Sequence, residues 1–456
     1  MSSAESNNAH VIDYGPRERA TLGALWGRHG RALLTLSDQA VVSLASFATN
    51  FLLLHHFASG AGETHYAYYT LALNLMIWVA EVHATLVFTP HTMLSPRMSG
   101  HALRRFHGST LLHHFGVSML ASIATLIAGF AYRNTNPEWS HVLVILSAGA
   151  ILIGLRNYAR PYSFTAKKPH IALILDLAVS ALQIGGIIAL RHADMLNATT
   201  AVAMVAGAAA LPSLIWLLLN QSAFAPSVAG AINDLKFEWP NTRWVFLSGM
   251  VWNAGMQLYP WLILLLGGTL EVALWGACYQ LAAVANPLLM GLQNFTGPRI
   301  AEAYTERKRE DFVSFVYRTA LWTSILMIGP AVLLSVFADG ALTWISNGKF
   351  HGHQAAITLL CAAITLQAIT FTLSRGLFAL HRADLDLYCN FGPLLLLLTG
   401  GTALTHAFGA TGAAGSLLIA QLLSTSSRAV LFRYAASRHH QMRDVDPVPE
   451  EVRGSS

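Results

Sequence analysis

Apolar residues gather in runs of about twenty along almost the whole chain, and the polar intervals between runs are short. The runs lie at 33–55, 67–94, 111–132, 141–159, 170–190, 198–219, 244–267, 270–294, 314–337, 354–374, 386–406 and 411–432. Each is near the length a helix needs to cross about 30 Å of hydrocarbon. The pattern predicts an all-α polytopic membrane protein of about twelve transmembrane helices. One long polar interval, Asn220 to Arg243, falls in the middle and predicts two six-helix lobes joined by a linker. The expected organisation is an N-terminal segment 1–32, a first lobe 33–219, the linker 220–243, a second lobe 244–432 and a tail 433–456. The tail is charged, holds Pro and has no apolar period, so it is expected to be disordered.

Composition agrees: 54% of residues are hydrophobic and only 11% charged, with mean hydropathy +0.47, against about 25% charged in soluble domains. The first run is too long for a signal-peptide core and no small-residue cleavage site follows it, so the N-terminus is expected in the cytoplasm. From that start, the alternation of spans places every one of the 28 Lys and Arg except Arg133, Arg191 and Lys349 on the cytoplasmic side. This is the asymmetry the positive-inside rule requires, and one missed span would scramble it. The basic balance is therefore explained by topology, and no nucleic-acid partner is expected. Cys278, Cys361 and Cys389 all fall inside spans and give neither a disulfide framework nor a zinc spacing. Twenty histidines are present, but no His-x-x-x-His pair with a carboxylate shares a helical face, so no metal site or other cofactor is expected.

The halves echo one another. SPRMSGHALRRFHGS (Ser95 to Ser109) follows span 2 and GPRIAEAYTERKRED (Gly297 to Asp311) follows span 8, each a Pro-Arg pair, a short amphipathic stretch and a basic cluster. A weaker echo pairs FTAKK (Phe164 to Lys168) with FALHR (Phe378 to Arg382) and aligns Asp176 with Asn390. Parallel repeats of this kind suit transporters, which bind substrate between halves.

These Pro-Arg loops, the entry of span 1, LTLSDQAVVSLASFATNFLLL (Leu34 to Leu54), and the basic loop between spans 4 and 5 give the chain its likeness to a known family. It resembles the polysaccharide-exporter (Wzx-type, O-antigen flippase) branch of the multidrug/oligosaccharidyl-lipid/polysaccharide (MOP) flippase superfamily, whose other branches include the MATE drug antiporters and the lipid II flippases. The resemblance implies two lobes in a V, a central cavity lined mainly by spans 1, 2, 7 and 8, and alternating access. It also implies a bacterial inner-membrane flippase for undecaprenyl-diphosphate-linked oligosaccharides, in contact with membrane lipids, glycan polymerase and other assembly proteins.

Candidate residues follow from helical spacing. On span 1, Thr35, Gln39, Ser43, Ser46 and Asn50 share a face, and on span 2 Asn74, Trp78, Glu81 and Thr85 do so. Hydroxyls and amides on such faces suit sugar hydroxyls, but they equally suit helix-to-helix hydrogen bonds. Span 7 offers Asn253, Met256 and Gln257 with Trp252 alongside, and span 8 offers Gln280. Trp261 reads as an anchor at the membrane interface. Glu81 and Asp176 are the candidate sites for a coupling H+ or Na+, because ionisable groups within spans line water, pair, or serve transport. For Asp38 and Asp176 the bland reading is a salt bridge to Arg31, Lys167 or Lys168. If Asn390 is the counterpart of Asp176, the second lobe lacks the charge, and its one other candidate carboxylate, Glu271, sits at the outer end of span 8. A diphosphate calls for guanidinium forks. Arg97 and Arg299 recur after Pro in both halves, and Arg375 ends span 10 near the hydrocarbon edge.

Two rivals stand beside the flippase expectation. A cation-coupled multidrug exporter of the MATE type requires carboxylates facing the central cavity. A membrane glycan polymerase or glycosyltransferase requires a substantial outer loop, and the expected outer loops are short.

Overall fold

The structure, a computed structural model, describes residues 22–58, 62–95 and 98–438. Arg97 and the tail beyond Arg438 lie outside the described residues. The expected all-α membrane fold is present, with no strand among the described residues. Helix α1 is Leu22–Phe57. Helix α2 (Glu63–His83) passes through a π-helical turn, Ala84–Phe88, into α3 (Thr89–Leu94). Then come α4 (Gly100–Tyr132), α5 (Pro137–Thr165), α6 (Pro169–His192) and α7 (Ala198–Asn220). The second half holds α8 (Val228–Gln257), α9 (Tyr259–Ala282), α10 (Asn286–Glu306), α11 (Arg309–Ile345), α12 (Gln354–Ala379), α13 (Ala383–Leu396) and α14 (Thr402–Arg438).

Among the described residues, ten stretches are long and apolar enough to cross a membrane, so the chain is a multi-pass membrane protein. Two of them, Thr242–Glu306 with 65 residues and Ala383–Arg438 with 56, far exceed the roughly 20 residues of one crossing. Each contains a glycine in the left-handed region, Gly268 at φ 77° and Gly409 at φ 56°. A side chain disfavours that backbone, so these glycines are where the helix breaks and two crossings replace one. The breaks touch each other: the Ala410 N–H donates to Glu271 Oε2 at 2.8 Å, which satisfies an orphan donor at a helix start. Twelve crossings result among the described residues.

The polar segments are more helical than their composition suggests. Most of the expected linker, from Val228 onward, is the first part of α8, and α14 carries residues 433–438 of the expected tail. Side-chain caps define starts: Ser227 accepts from Gly230 N, and Asn197 and Thr200 form a reciprocal capping box.

Packing repeats between halves. In the first, α1 packs on α6, α4 on α5 and α5 on α7; in the second, α8 packs on α13, α11 on α12 and α12 on α14. In span order these are the same pairs. Between the halves α2 lies against α8 and α9. A Cβ on Gly276 of α9 would stand 2.7 Å from Thr70 Oγ1, so glycine permits this approach.

The loops alternate between a Lys/Arg-rich face and an opposite face. Toward the opposite face one apolar core, including Leu53, Tyr66, Trp275, Leu342 and Ala413, is continuous across both halves. Toward the basic face the core divides. One cluster around Tyr158, Trp216 and Phe224 belongs to the first half, and one around Phe312, Leu377 and Phe432 to the second. The apolar core is therefore shared at one end and divided at the other, where α8 still packs against α4 and the π turn. A clasp reinforces the join: Lys349 pairs with Glu63, Asn347 Nδ2 donates to His55 O at 3.0 Å, and Phe51 meets Trp344 at 5.2 Å between ring centroids.

That clasp gives a first prediction. Lys349→Glu should raise labelling of a cysteine placed at Gln280 by a membrane-impermeant maleimide by up to about fivefold, since a half-exposed ion pair contributes up to about 1 kcal/mol. The three native cysteines are buried and give little background. Unchanged labelling would show that the ion pair does not hold the halves together, and Glu63→Lys in the same chain should restore the original rate.

Candidate functional site

Two cavities lie between the halves. The one nearer the opposite face, of about 90 Å³, is lined by Asn50, Asn74, Gln257 and Gln280 with aromatic neighbours Tyr66 and Trp275. Its amides bond across the halves: Asn74 Nδ2 donates to Gln257 Oε1, and Trp261 Nε1 donates to Asn74 Oδ1 at 2.7 Å. Trp261, read as an interface anchor, is thus tied into the join. Four of the sequence-predicted amides meet here, with Met256 beside them, and cavity lining and helix bonding are realised by the same side chains.

The remainder of the α1 stripe does not reach either cavity. Gln39 donates to Ser43 Oγ at 3.4 Å and accepts from Arg160 Nη2 at 3.1 Å, while Ser46 is exposed. Trp78 is half-buried away from both cavities, and Asn253 is buried with its Nδ2 unpartnered among the described residues.

The second cavity, of about 260 Å³, lies toward the basic face. On the first-half side its wall is Glu81, Thr85 and Thr89, carried through the π turn that resets the phase of α2. Gly249 of α8 makes room for this wall, since a Cβ there would stand 3.0 Å from Glu81 Oε1. Trp252, Phe371 and Arg375 face it from the second half. Neither Glu81 nor Arg375 makes an ion pair or side-chain hydrogen bond among the described residues.

The back of this cavity is a buried polar network that helical spacing alone does not reveal. Arg428 of α14, 2% exposed, directs Nε to Asp386 Oδ1 at 2.8 Å, Nη2 to Asn390 Oδ1 at 2.6 Å and Nη1 to Ser424 Oγ. Asp386 also accepts from Ser374 Oγ and Ser248 Oγ, each at 2.6 Å. Asn390 donates to Ser248 O at 3.1 Å. Every oxygen of the carboxylate is satisfied, as a buried charge requires. This corrects the expectation that the second half has no cavity carboxylate but Glu271: Asp386, one helical turn before Asn390, is on the wall. Its presence inside a span, with Arg428 inside another, was the available signal.

The first half has its own network. Asp176 accepts from Arg156 Nε at 2.8 Å and Nη2 at 2.6 Å and lies 2.8 Å from Arg160 Nε. Arg160 also reaches Asp38 Oδ2 at 2.6 Å. The aspartates are fully buried, and their partners are Arg156 and Arg160 rather than the expected Lys167 or Lys168, while the side chain of Arg31 lies outside the described residues. The aligned pair Asp176 and Asn390 each accept from an arginine, but from Arg156 of α5 in one half and Arg428 of α14 in the other, so the echo extends to the acceptors and not to the donating helix. Arg299 is exposed, its guanidinium 3.7 Å above the Phe295 ring and off the cavity.

No family model and no curated protein matches the chain. Solved structures do. The MATE multidrug transporter DinF-BH is 16% identical over 90% of this chain and 96% of its own, with a TM-score of 0.68. The inward-facing form of a multidrug resistance MATE family transporter of the MOP superfamily is 13% identical over 91% of this chain and 100% of its own, at 0.65. A MOP superfamily transporter from Pyrococcus furiosus, described as having a binding pocket of reverse polarity, is 13% identical over 93% and 99%, at 0.64. The fold of this chain is that of the MATE-type transporters of the MOP superfamily.

Proposed function

We propose that the chain is a flippase that carries a polyprenyl-diphosphate-linked oligosaccharide from the cytoplasmic to the periplasmic leaflet of a bacterial inner membrane by alternating access. Residues 33–219 and 244–432 act as the two lobes, the basic face is cytoplasmic, and both termini lie on that side. The observation that carries the reading is Arg375, a guanidinium on the wall of the cavity that faces the basic side, near the Asp386 carboxylate but with no ion pair or side-chain hydrogen bond among the described residues. A planar fork of donors left open at a cavity suits phosphate oxygens. Arg97 and Arg299 are proposed to gather the diphosphate at the mouth, and Trp252 to stack on a sugar. The amide chamber of Asn50, Asn74, Gln257 and Gln280 becomes the sugar path once the halves part. At about 260 Å³ the resting cavity is smaller than the roughly 300–1,000 Å³ of drug-sized sites, so the cargo requires that parting. The short segments at the opposite face favour a transporter over a polymerase or glycosyltransferase.

A strain lacking the protein should accumulate complete lipid-linked repeat units and lose surface glycan, read by mass spectrometry of its lipid extract. Unchanged lipids and glycan would overturn the flippase reading. In the purified protein, Arg375→Ala should weaken binding of undecaprenyl diphosphate about tenfold or more, since a charge-assisted pair contributes about 1.5–3 kcal/mol. A second reading, export of small cations, is favoured by one observation, the unpaired Glu81 carboxylate in the same cavity. It predicts that Arg375→Ala leaves transport intact.

A further inference from the structure

Four histidines are buried together in the first half, away from both cavities: His83 at the end of α2, His91 on α3, and His107 and His114 on α4. Their rings form two pairs, His83 with His114 at 4.2 Å between centroids and His91 with His107 at 5.2 Å. Tyr158 of α5 stands between the pairs, 5.2 Å from the His114 ring and 6.3 Å from His91. Its hydroxyl lies 2.9 Å from Thr110 Oγ1 and donates to His107 O at 3.2 Å. A polar line therefore runs inside the half from the depth of Glu81 toward the basic face.

An apolar core has no use for such a line. Leaving a buried polar atom without a partner costs about 1–3 kcal/mol, and four ring nitrogens here, His83 Nδ1, His91 Nε2 and both of His114, have no partner among the described residues. Room for them is built in: a Cβ on Gly154 of α5 would stand 3.3 Å from His114 Nε2 and 2.7 Å from Ser118 Oγ. His83 Nε2 lies 3.2 Å from His114 O and 3.2 Å from Ser118 Oγ. The carbonyl can only accept, so Nε2 carries the hydrogen in the neutral ring and Nδ1 is its acceptor nitrogen, with the Val79 backbone as the ring's other polar neighbour.

The groups facing the cluster are few. Tyr158 and Tyr162 approach from α5, while Trp216 of α7 and Phe224 of the linker add no titratable group. None of the four imidazoles has a carboxylate or guanidinium within ion-pair distance among the described residues.

We propose that this cluster is a proton-binding site, in which the His83–His114 pair takes one proton and exchanges it with the basic face through His91 and His107. The inference rests on the transport reading above and names its coupling ion. An imidazole nitrogen binds a proton, whereas a hard cation such as Na+ takes oxygen ligands. Two imidazolium rings 4.2 Å apart repel, so the pair holds a single charge. His83 directly precedes the π turn, and Glu81 two residues earlier faces the cavity. A charge arriving on His83 therefore acts on the segment that forms the cavity wall.

The test is a titration of the full chain, labelled with nitrogen-15 histidine and held in lipid vesicles, followed by NMR from about pH 8 to about pH 5, the range in which imidazoles change charge. Of the signals from twenty histidines, those lost in His83→Asn and His114→Asn identify the pair. Ser118→Ala keeps both rings and shifts the His83 signal, which provides the assignment should a histidine variant misfold. The expected result is uptake of one proton by the pair, with the double variant binding one fewer than wild type. A pair that stays neutral throughout overturns the proposal. In cells, the double variant should lose at least tenfold in surface glycan while binding undecaprenyl diphosphate as wild type does; full glycan would also overturn the coupling. Failure of the flippase reading shows separately, as unchanged lipids in the deletion strain.

Discussion

Arg428→Leu is expected to destabilise the protein by about 3–5 kcal/mol, the range for breaking a buried ion pair by removing one partner. The guanidinium bonds Asp386, Asn390 and Ser424 and lies against Ser374 Oγ at 2.8 Å, so its loss removes a buried polar link between α14, α13 and α12. Asp386 would remain buried with the Ser248 and Ser374 hydroxyls as its hydrogen-bond donors and no ion pair. The measurement is the thermal unfolding midpoint in detergent, together with the yield of membrane-inserted protein. Arg428→Leu with Asp386→Leu should recover most of the loss, because replacing both charges by apolar groups removes the uncompensated one. Arg156→Leu in the first half should cost much less. Asp176 keeps Arg160 within 2.8 Å there, and Arg156 is 20% exposed to begin with. Equal losses for the two arginines would mean that neither network is special to its half.

How much was legible follows from what each signal depends on. The crossings were readable because an apolar run states its own length, and even the turns at Gly268 and Gly409, which have no polar loop, fell between predicted runs. The amides Asn50, Asn74, Gln257 and Gln280 were found from helical phase, which says what shares a face. Phase does not say what that face meets, so it puts Gln39, Ser43 and Ser46 on a cavity wall that α1 does not form at that level. By sequence Arg428 groups with Arg433 and Arg438 as part of the positive face. Its position inside a span pointed to a buried partner, but the partner, on α13, is a tertiary fact. The four histidines were invisible as a group for the same reason: His83 and His114 come from different helices, and neither helix alone gives a spacing that joins them.

Glu81→Gln is expected to abolish export while leaving protein level and unfolding midpoint as in wild type. The substitution keeps the shape that packs beside Gly249 and Thr85 and removes only the ability to ionise. Because the carboxylate has no ion pair or side-chain hydrogen bond among the described residues, no structural partner is orphaned by the change. A lost function with an intact fold then reports on the charge itself. Surface glycan and accumulated lipid-linked repeat units give the readout, and wild-type glycan in the Glu81→Gln strain would remove Glu81 from the coupling cycle. Arg375→Ala, measured beside it, separates the two functional readings. A carrier of a diphosphate needs both the carboxylate that responds to the ion and the guanidinium that meets the cargo, so both variants fail. A carrier of organic cations needs only the carboxylate, and Arg375→Ala, by removing a positive charge from the cavity, should preserve or raise its uptake of cationic dye.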